Sequence, residues 1–120
     1  MKVLLDSVIL IDHLNGIRAA TRYLRKVDDA AISVITRAEV LSGKTASDSA
    51  TAALLDLFPT LPIERDVADA AARLRRTHRW RLPDAFQAAL AQVHELKLAT
   101  RNTRDFPPEA HKFVIVPYQL

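Results

Sequence analysis

Short aliphatic runs alternate with helical patterns along the chain, and this alternation restricts the fold more than any other feature. Val3 to Leu5, Ala31 to Ile35, Leu61 to Glu64, Lys97 to Thr100 and Phe113 to Val116 read as strands. Several are apolar at successive positions, as strands buried on both faces are. Between them the period becomes helical. Ile17, Ala20, Thr21, Leu24 and Val27 share one helical face, and so do Val67, Ala70, Ala71 and Leu74. From Pro83 to Leu96 the apolar residues Ala85, Phe86, Ala88, Ala89, Leu90 and Val93 run nearly all round, which predicts a helix set deep against the sheet. Ala46 to Phe58 reads as a further helix, with Ser47 or Asp48 as its cap. Strands alternating with helices imply an α/β fold, here a mainly parallel central sheet of about five strands flanked by helices.

At 120 residues, 49% hydrophobic and 26% charged, the chain has the size and composition of one globular domain, expected to span residues 1–120. The absence of cysteine excludes disulfide scaffolds, thiol catalysis and thiolate zinc sites. With only Gly16 and Gly43, no GxGxxG turn or P-loop exists to cradle a phosphate. An acid already stands at position 6, where a secretory signal would carry its apolar stretch, and no apolar run approaches the roughly 18 residues of a membrane span. A cytoplasmic protein without membrane contact is expected. Seventeen Lys and Arg against 14 Asp and Glu give a formal charge of +3, mildly basic.

In parallel α/β sheets, ligand sites lie at the carboxyl ends of the strands, where the chain leaves the sheet in loops and helix N-termini face the crevice. The acids follow that rule. Asp6 directly follows the first strand, Glu39 is expected on the first turn after the strand ending at Ile35, and Asp105 follows the Lys97 to Thr100 strand within a short turn. Asp84 comes just after Pro83, which favours the first turn of a helix, so a fourth carboxylate can join the same edge. Each acid alone has a plainer role as helix cap, dipole partner, exposed helical residue or turn former. Together they repel unless a cation compensates them. An all-oxygen ligand set without cysteine or an HExxH pair selects Mg2+ or Mn2+ over zinc.

Four segments carrying these acids resemble the motifs of PIN-domain ribonucleases: Leu4-Leu5-Asp6-Ser7, Thr36-Arg37-Ala38-Glu39-Val40-Leu41-Ser42-Gly43, Leu82-Pro83-Asp84-Ala85-Phe86-Gln87-Ala88-Ala89-Leu90-Ala91 and Leu98-Ala99-Thr100-Arg101-Asn102-Thr103-Arg104-Asp105-Phe106. The length is similar to that of the VapC toxins of bacterial toxin-antitoxin pairs. The resemblance implies a PIN-like three-layer fold and an endoribonuclease dependent on Mg2+ or Mn2+, cutting transfer, ribosomal or messenger RNA. It also implies a homodimer and a VapB-like antitoxin that covers the active site in a higher assembly. By the same resemblance Asp6, Glu39, Asp84 and Asp105 are the acidic site residues, with Ser7, Thr100 and Asn102 as supporting polar groups. Phe86-Gln87 departs from it, standing where such proteins often have smaller or aliphatic residues.

On chemical grounds Asp6 and Asp84 are expected as the principal metal ligands, Asp105 as completing the site, and Glu39 as positioning or deprotonating the attacking water. The cations expected to meet RNA are Arg101 and Arg104, which flank Asn102, with Arg79 and Arg81 from the dense basic segment that leads into Asp84. Trp80 either stacks on a base or closes the core. His13, His78, His94 and His111 lack metal-ligand spacing and are expected as ordinary surface or core residues. The aliphatic stripe Ile9, Leu10, Leu14 and Ile17 exceeds what a small core covers and predicts an interface. Two other classes compete. A phospho-accepting receiver domain needs an acidic pair after its first strand and a lysine after its last, whereas here Asp6 is alone and Lys97 begins its strand. A non-catalytic RNA- or partner-binding PIN-like module would tolerate loss of the acids, yet all four are present.

Overall fold

The computed structural model describes residues 2–43 and 48–120. Its strands are β1 (Val3–Leu5), β2 (Ala30–Ser33), β3 (Thr60–Leu61), β4 (Lys97–Ala99) and β5 (Val114–Ile115). All pair in parallel, in the order β3-β2-β1-β4-β5. Among the described residues the helices are α1 (Ser7–Leu14), α2 (Arg18–Lys26), α3 (Val34–Leu41), α4 (Asp48–Leu55), α5 (Arg65–His78) and α6 (Leu82–Val93). This is the expected α/β architecture with a parallel sheet between helical layers.

The two faces of the sheet are read from alternate residues of its strands, because successive side chains point to opposite sides. Leu4, Ala31 and Leu98 pack with Val67 and Ala71 of α5 and with Ala85, Ala88, Ala89 and Leu90 of α6. Leu5, Ile32 and Ala99 pack on the other side with Leu10, Val40 and Leu55 of α1, α3 and α4. Each fully buried leucine contributes about 1.5–3 kcal/mol. The alanines of α6 bring that helix close to both the sheet and α5.

Strand ends differ from expectation for identifiable reasons. The second strand stops at Ser33, whose hydroxyl accepts from the Thr36 amide at 2.9 Å and starts α3, so Val34 and Ile35 turn into a helix despite their β-branched side chains. Glu39 therefore lies on the second turn of α3, not the first turn after a strand. The third strand does not continue to Glu64, since Pro62 has no amide to extend its ladder. The sixth helix ends at Val93, with His94 as its cap and Glu95 in the left-handed region at φ 57°. Of the Ala46 to Phe58 helix, the part before Asp48 with the Ser47 cap lies outside the described residues, as does the Asp48 side chain, and α4 ends at Leu55. The α1 stripe is also corrected. Ile9 and Leu10 are fully buried, while Ile11 and Leu14 are 37% and 38% exposed.

From β1 the chain lays β2 and β3 to one side, and later β4 and β5 to the other. The order reverses between β1 and β4. In an open parallel sheet that reversal opens a crevice at the strands' carboxyl ends.

Candidate active site

Asp6 and Thr100 are the first residues past the two strands that flank the reversal. The Leu5↔Ala99 register sets them side by side, and the Asp6 amide donates to the Ala99 carbonyl at 3.0 Å. Thr100 Oγ1 donates to Asp6 Oδ2 at 2.7 Å. Asp6 Oδ1 accepts from the Ser7 amide at 2.9 Å and from Gln87 Nε2 at 3.2 Å. Asp6 thus caps α1 and is also held from β4 and α6. A buried carboxylate with three donors is fixed in position.

Gln87 is the site residue that the sequence reading missed. Besides Asp6, its Nε2 donates to Thr36 Oγ1 at 2.8 Å, and its Oε1 accepts from Ser33 Oγ at 2.6 Å. The amide joins α6, α3, the end of β2 and the acid after β1, and no buried polar atom among the described residues is left without a partner. One signal was present in the sequence: a lone amide on a helix otherwise apolar nearly all round needs a polar partner in the core.

On the far rim, the Asn102 amide N donates to Thr100 Oγ1 at 2.9 Å, Asn102 Nδ2 donates to Asp105 Oδ2 at 3.1 Å, and Asn102 Oδ1 accepts from the Asp105 amide at 3.3 Å. The indole of Trp80 donates to the Asp105 carbonyl at 2.9 Å. Trp80 is buried, stacked on His78 at 4.2 Å and edge-on to Phe106, so it closes the core. His111 joins that aromatic group.

Asp84 stands on the first turn of α6. Burial pushes its carboxyl up to about 6, the charges of Asp6, Asp105 and Glu39 push the same way, and Arg81 opposes them. Burial likewise raises Glu39, with Asp6 adding to the rise while the Ser7 hydroxyl, hydrogen-bonded to it, and Arg81 lower it. The charges of Asp6, Asp105 and Glu39 thus reach Asp84, and that of Asp6 reaches Glu39, at one crevice, with Arg81, the N-cap of α6, as the nearby cation. Arg79 and Arg104 are exposed on the flanks. Arg101 is not a free cation: its Nε and Nη2 donate to Asp12 Oδ2 and Oδ1 at 2.6 and 2.9 Å. That pairing already engages the guanidinium that the sequence places among the RNA-facing arginines.

The donor set suits a hard divalent cation, being carboxylates without thiolate or imidazole whose charges raise the proton affinity of Asp84. Among the described residues, however, no three acids or histidines already stand close enough to grip an ion. A three-carboxylate grip on a metal would require side-chain movement, whereas one or two direct carboxylates with water would not.

A parallel sheet with a carboxylate crevice at its strand reversal defines an acidic-site α/β protein. More narrowly, the chain belongs to the PIN domain family, whose model matches residues 3–107. It is 41% identical over 114 residues to Ribonuclease VapC10 of Mycobacterium tuberculosis, covering 88% of this chain and 86% of that protein. It is also similar to a toxin-antitoxin complex from Klebsiella pneumoniae, with a TM-score of 0.92 and 38% identity over 99% of this chain and 100% of that one. FitAcB from Neisseria gonorrhoeae superposes with a TM-score of 0.77 at 26% identity, over 98% of this chain and 99% of the other.

Proposed function

We propose that this chain is a divalent-metal-dependent endoribonuclease, the toxin of a toxin-antitoxin pair. The observation that carries this reading is the gathering of Asp6, Glu39 and Asp105 around Asp84 at the switch-point crevice, where burial and their charges raise its proton affinity. Its similarity to a ribonuclease of the VapC type and to a solved toxin-antitoxin complex supports the same conclusion.

Asp6, Asp84 and Asp105 would hold Mg2+ or Mn2+. When bound, such an ion supplies Lewis acidity toward a phosphate oxygen and acidifies water. Glu39, its proton affinity raised by burial, would position or deprotonate the water that attacks phosphorus as the P–O bond to the leaving ribose oxygen breaks, that oxygen taking a proton from solvent. Ser7 orients Glu39, Thr100 fixes Asp6, and Asn102 fixes Asp105. Arg81, Arg104 and Arg79 face the phosphates that flank the scissile bond. A VapB-like antitoxin covers the crevice, and the exposed Ile11 and Leu14 of α1 contribute apolar surface to a homodimer.

Incubating the purified chain with a labelled single-stranded RNA tests the activity. Cleavage is expected with Mn2+ or Mg2+ and none with excess chelator. Cleavage at an unchanged rate in chelator would overturn the metal assignment, and intact RNA under every metal would favour a non-catalytic binding module.

A further inference from the structure

Asp12 sits on α1 six residues beyond Asp6, outside the set of four crevice acids, yet it is buried. Both its oxygens are occupied. Arg101 meets them with a two-pronged contact at 2.6 and 2.9 Å, and the Tyr118 hydroxyl donates to Oδ2 at 2.7 Å. A two-pronged guanidinium-carboxylate contact fixes orientation as well as distance. The three residues come from α1, from the loop after β4 and from the tail after β5. Tyr118 lies beyond the segment that the family model matches, 3–107.

The position of Arg101 gives this contact a consequence. Thr100 before it holds Asp6, and Asn102 after it holds Asp105. Adjacent residues of one loop thus grip α1 at its N-cap and, about 9 Å along its axis, at Asp12. The loop's far end is anchored by the Trp80 indole on the Asp105 carbonyl and by buried Phe106. Its near end holds α1 at Asp6 through Thr100, and the Asp12 contact adds a second hold on that helix that limits rotation of the loop about Asp6.

We propose that Asp12, Arg101 and Tyr118 form a latch that holds the loop of Asn102 and Asp105 at the crevice, Asp12 and Tyr118 being positioning residues that act through Arg101. The kinetic side of its test rests on the nuclease reading above, whereas the spectroscopic side does not. Trp80 is the chain's single tryptophan, and its indole donates to the Asp105 carbonyl, so its emission reports the same loop without RNA.

Full-length Asp12→Asn, Arg101→Gln, their double variant and Tyr118→Phe are compared on a fluorogenic single-stranded RNA with Mn2+. Trp80 emission and acrylamide quenching are recorded without RNA. Asp12→Asn and Arg101→Gln are each expected to lower kcat about tenfold with KM within about twofold, as outer-shell supports do. The double variant should fall no further, because the two residues act as one unit. Tyr118→Phe, which keeps the ion pair and the fold, is expected to lower kcat about two- to fivefold, and Trp80 should become easier to quench in every variant. A raised KM for Arg101→Gln with Asp12→Asn silent would make Arg101 an RNA contact and overturn the latch. Unchanged kcat and unchanged quenching in Tyr118→Phe would remove the tail from it. Quenching changes in a chain that cleaves no RNA would uphold the latch and reject the nuclease reading.

Discussion

Asp84 has two roles that substitution separates. As a helix-N-terminal acid it stabilises α6, and its neutralisation would cost about 0.3–1 kcal/mol. As one of four crowded acids it destabilises the metal-free fold. Its carboxyl is raised from 3.8 to about 6, so the folded state binds its proton more tightly than the unfolded chain does. The associated stability is present below the unfolded value and is lost as pH climbs through about 6. Asp84→Asn removes that loss. At pH 7 without metal the variant should be more stable than wild type by about 0.5–1.5 kcal/mol, a figure reduced for partial exposure. Its melting temperature should flatten between pH 4 and 7, while RNA cleavage disappears. Thermal melts across pH beside a cleavage assay measure both, and a less stable but active variant would return Asp84 to a helix-dipole role. At this scale the acids were legible in the sequence because each follows a strand or opens a helix. Asp12 was not, because its partners Arg101 and Tyr118 stand 89 and 106 positions away, and nothing local marks a buried pair.

Among the elements, α6 depends on one amide. Gln87→Leu keeps nearly the same volume but takes a donor from Asp6 and a partner from Ser33 and Thr36. The Ser33 hydroxyl keeps the Thr36 amide and the Thr36 hydroxyl keeps the Leu5 carbonyl, but a buried group that loses one partner still costs about 1–3 kcal/mol. Denaturant unfolding should show a loss of that size, with the cleavage rate about tenfold lower because Asp6 keeps only the Ser7 and Thr100 donors. Gln87→Glu should be worse, since it sets a second carboxylate against Asp6 in a buried position. A rate unchanged in Gln87→Leu would show that Thr100 and Ser7 suffice to orient Asp6. The strands and helices were legible from the change of apolar period, and the parallel sheet from their alternation. The limits of β2 were not, because the Ser33 cap overrides the strand preference of Val34 and Ile35, and which donor a hydroxyl oxygen accepts from is settled only when the chain is folded.

For the whole molecule, a formal charge of +3 is too small to attract RNA by itself, and the crevice that would receive the scissile phosphate is lined with acids. Affinity must then come from cations at its margin, and their number sets its salt dependence. Each phosphate neutralised on a single strand contributes a slope of about −0.7 to log affinity against log salt. If Arg79, Arg81 and Arg104 each meet one phosphate, the slope should be about −2. Asp84→Asn, expected to bind without cutting, allows this to be measured by fluorescence anisotropy in chelator. Replacing any of the three by alanine should weaken binding and flatten the slope by about 0.7. In the same background Arg101→Gln should leave the slope unchanged, because its guanidinium is already neutralised by Asp12. A slope near zero would mean that these arginines are solvated helix and loop surface. A slope lowered only by Arg101→Gln would mean that RNA displaces Asp12 from its partner.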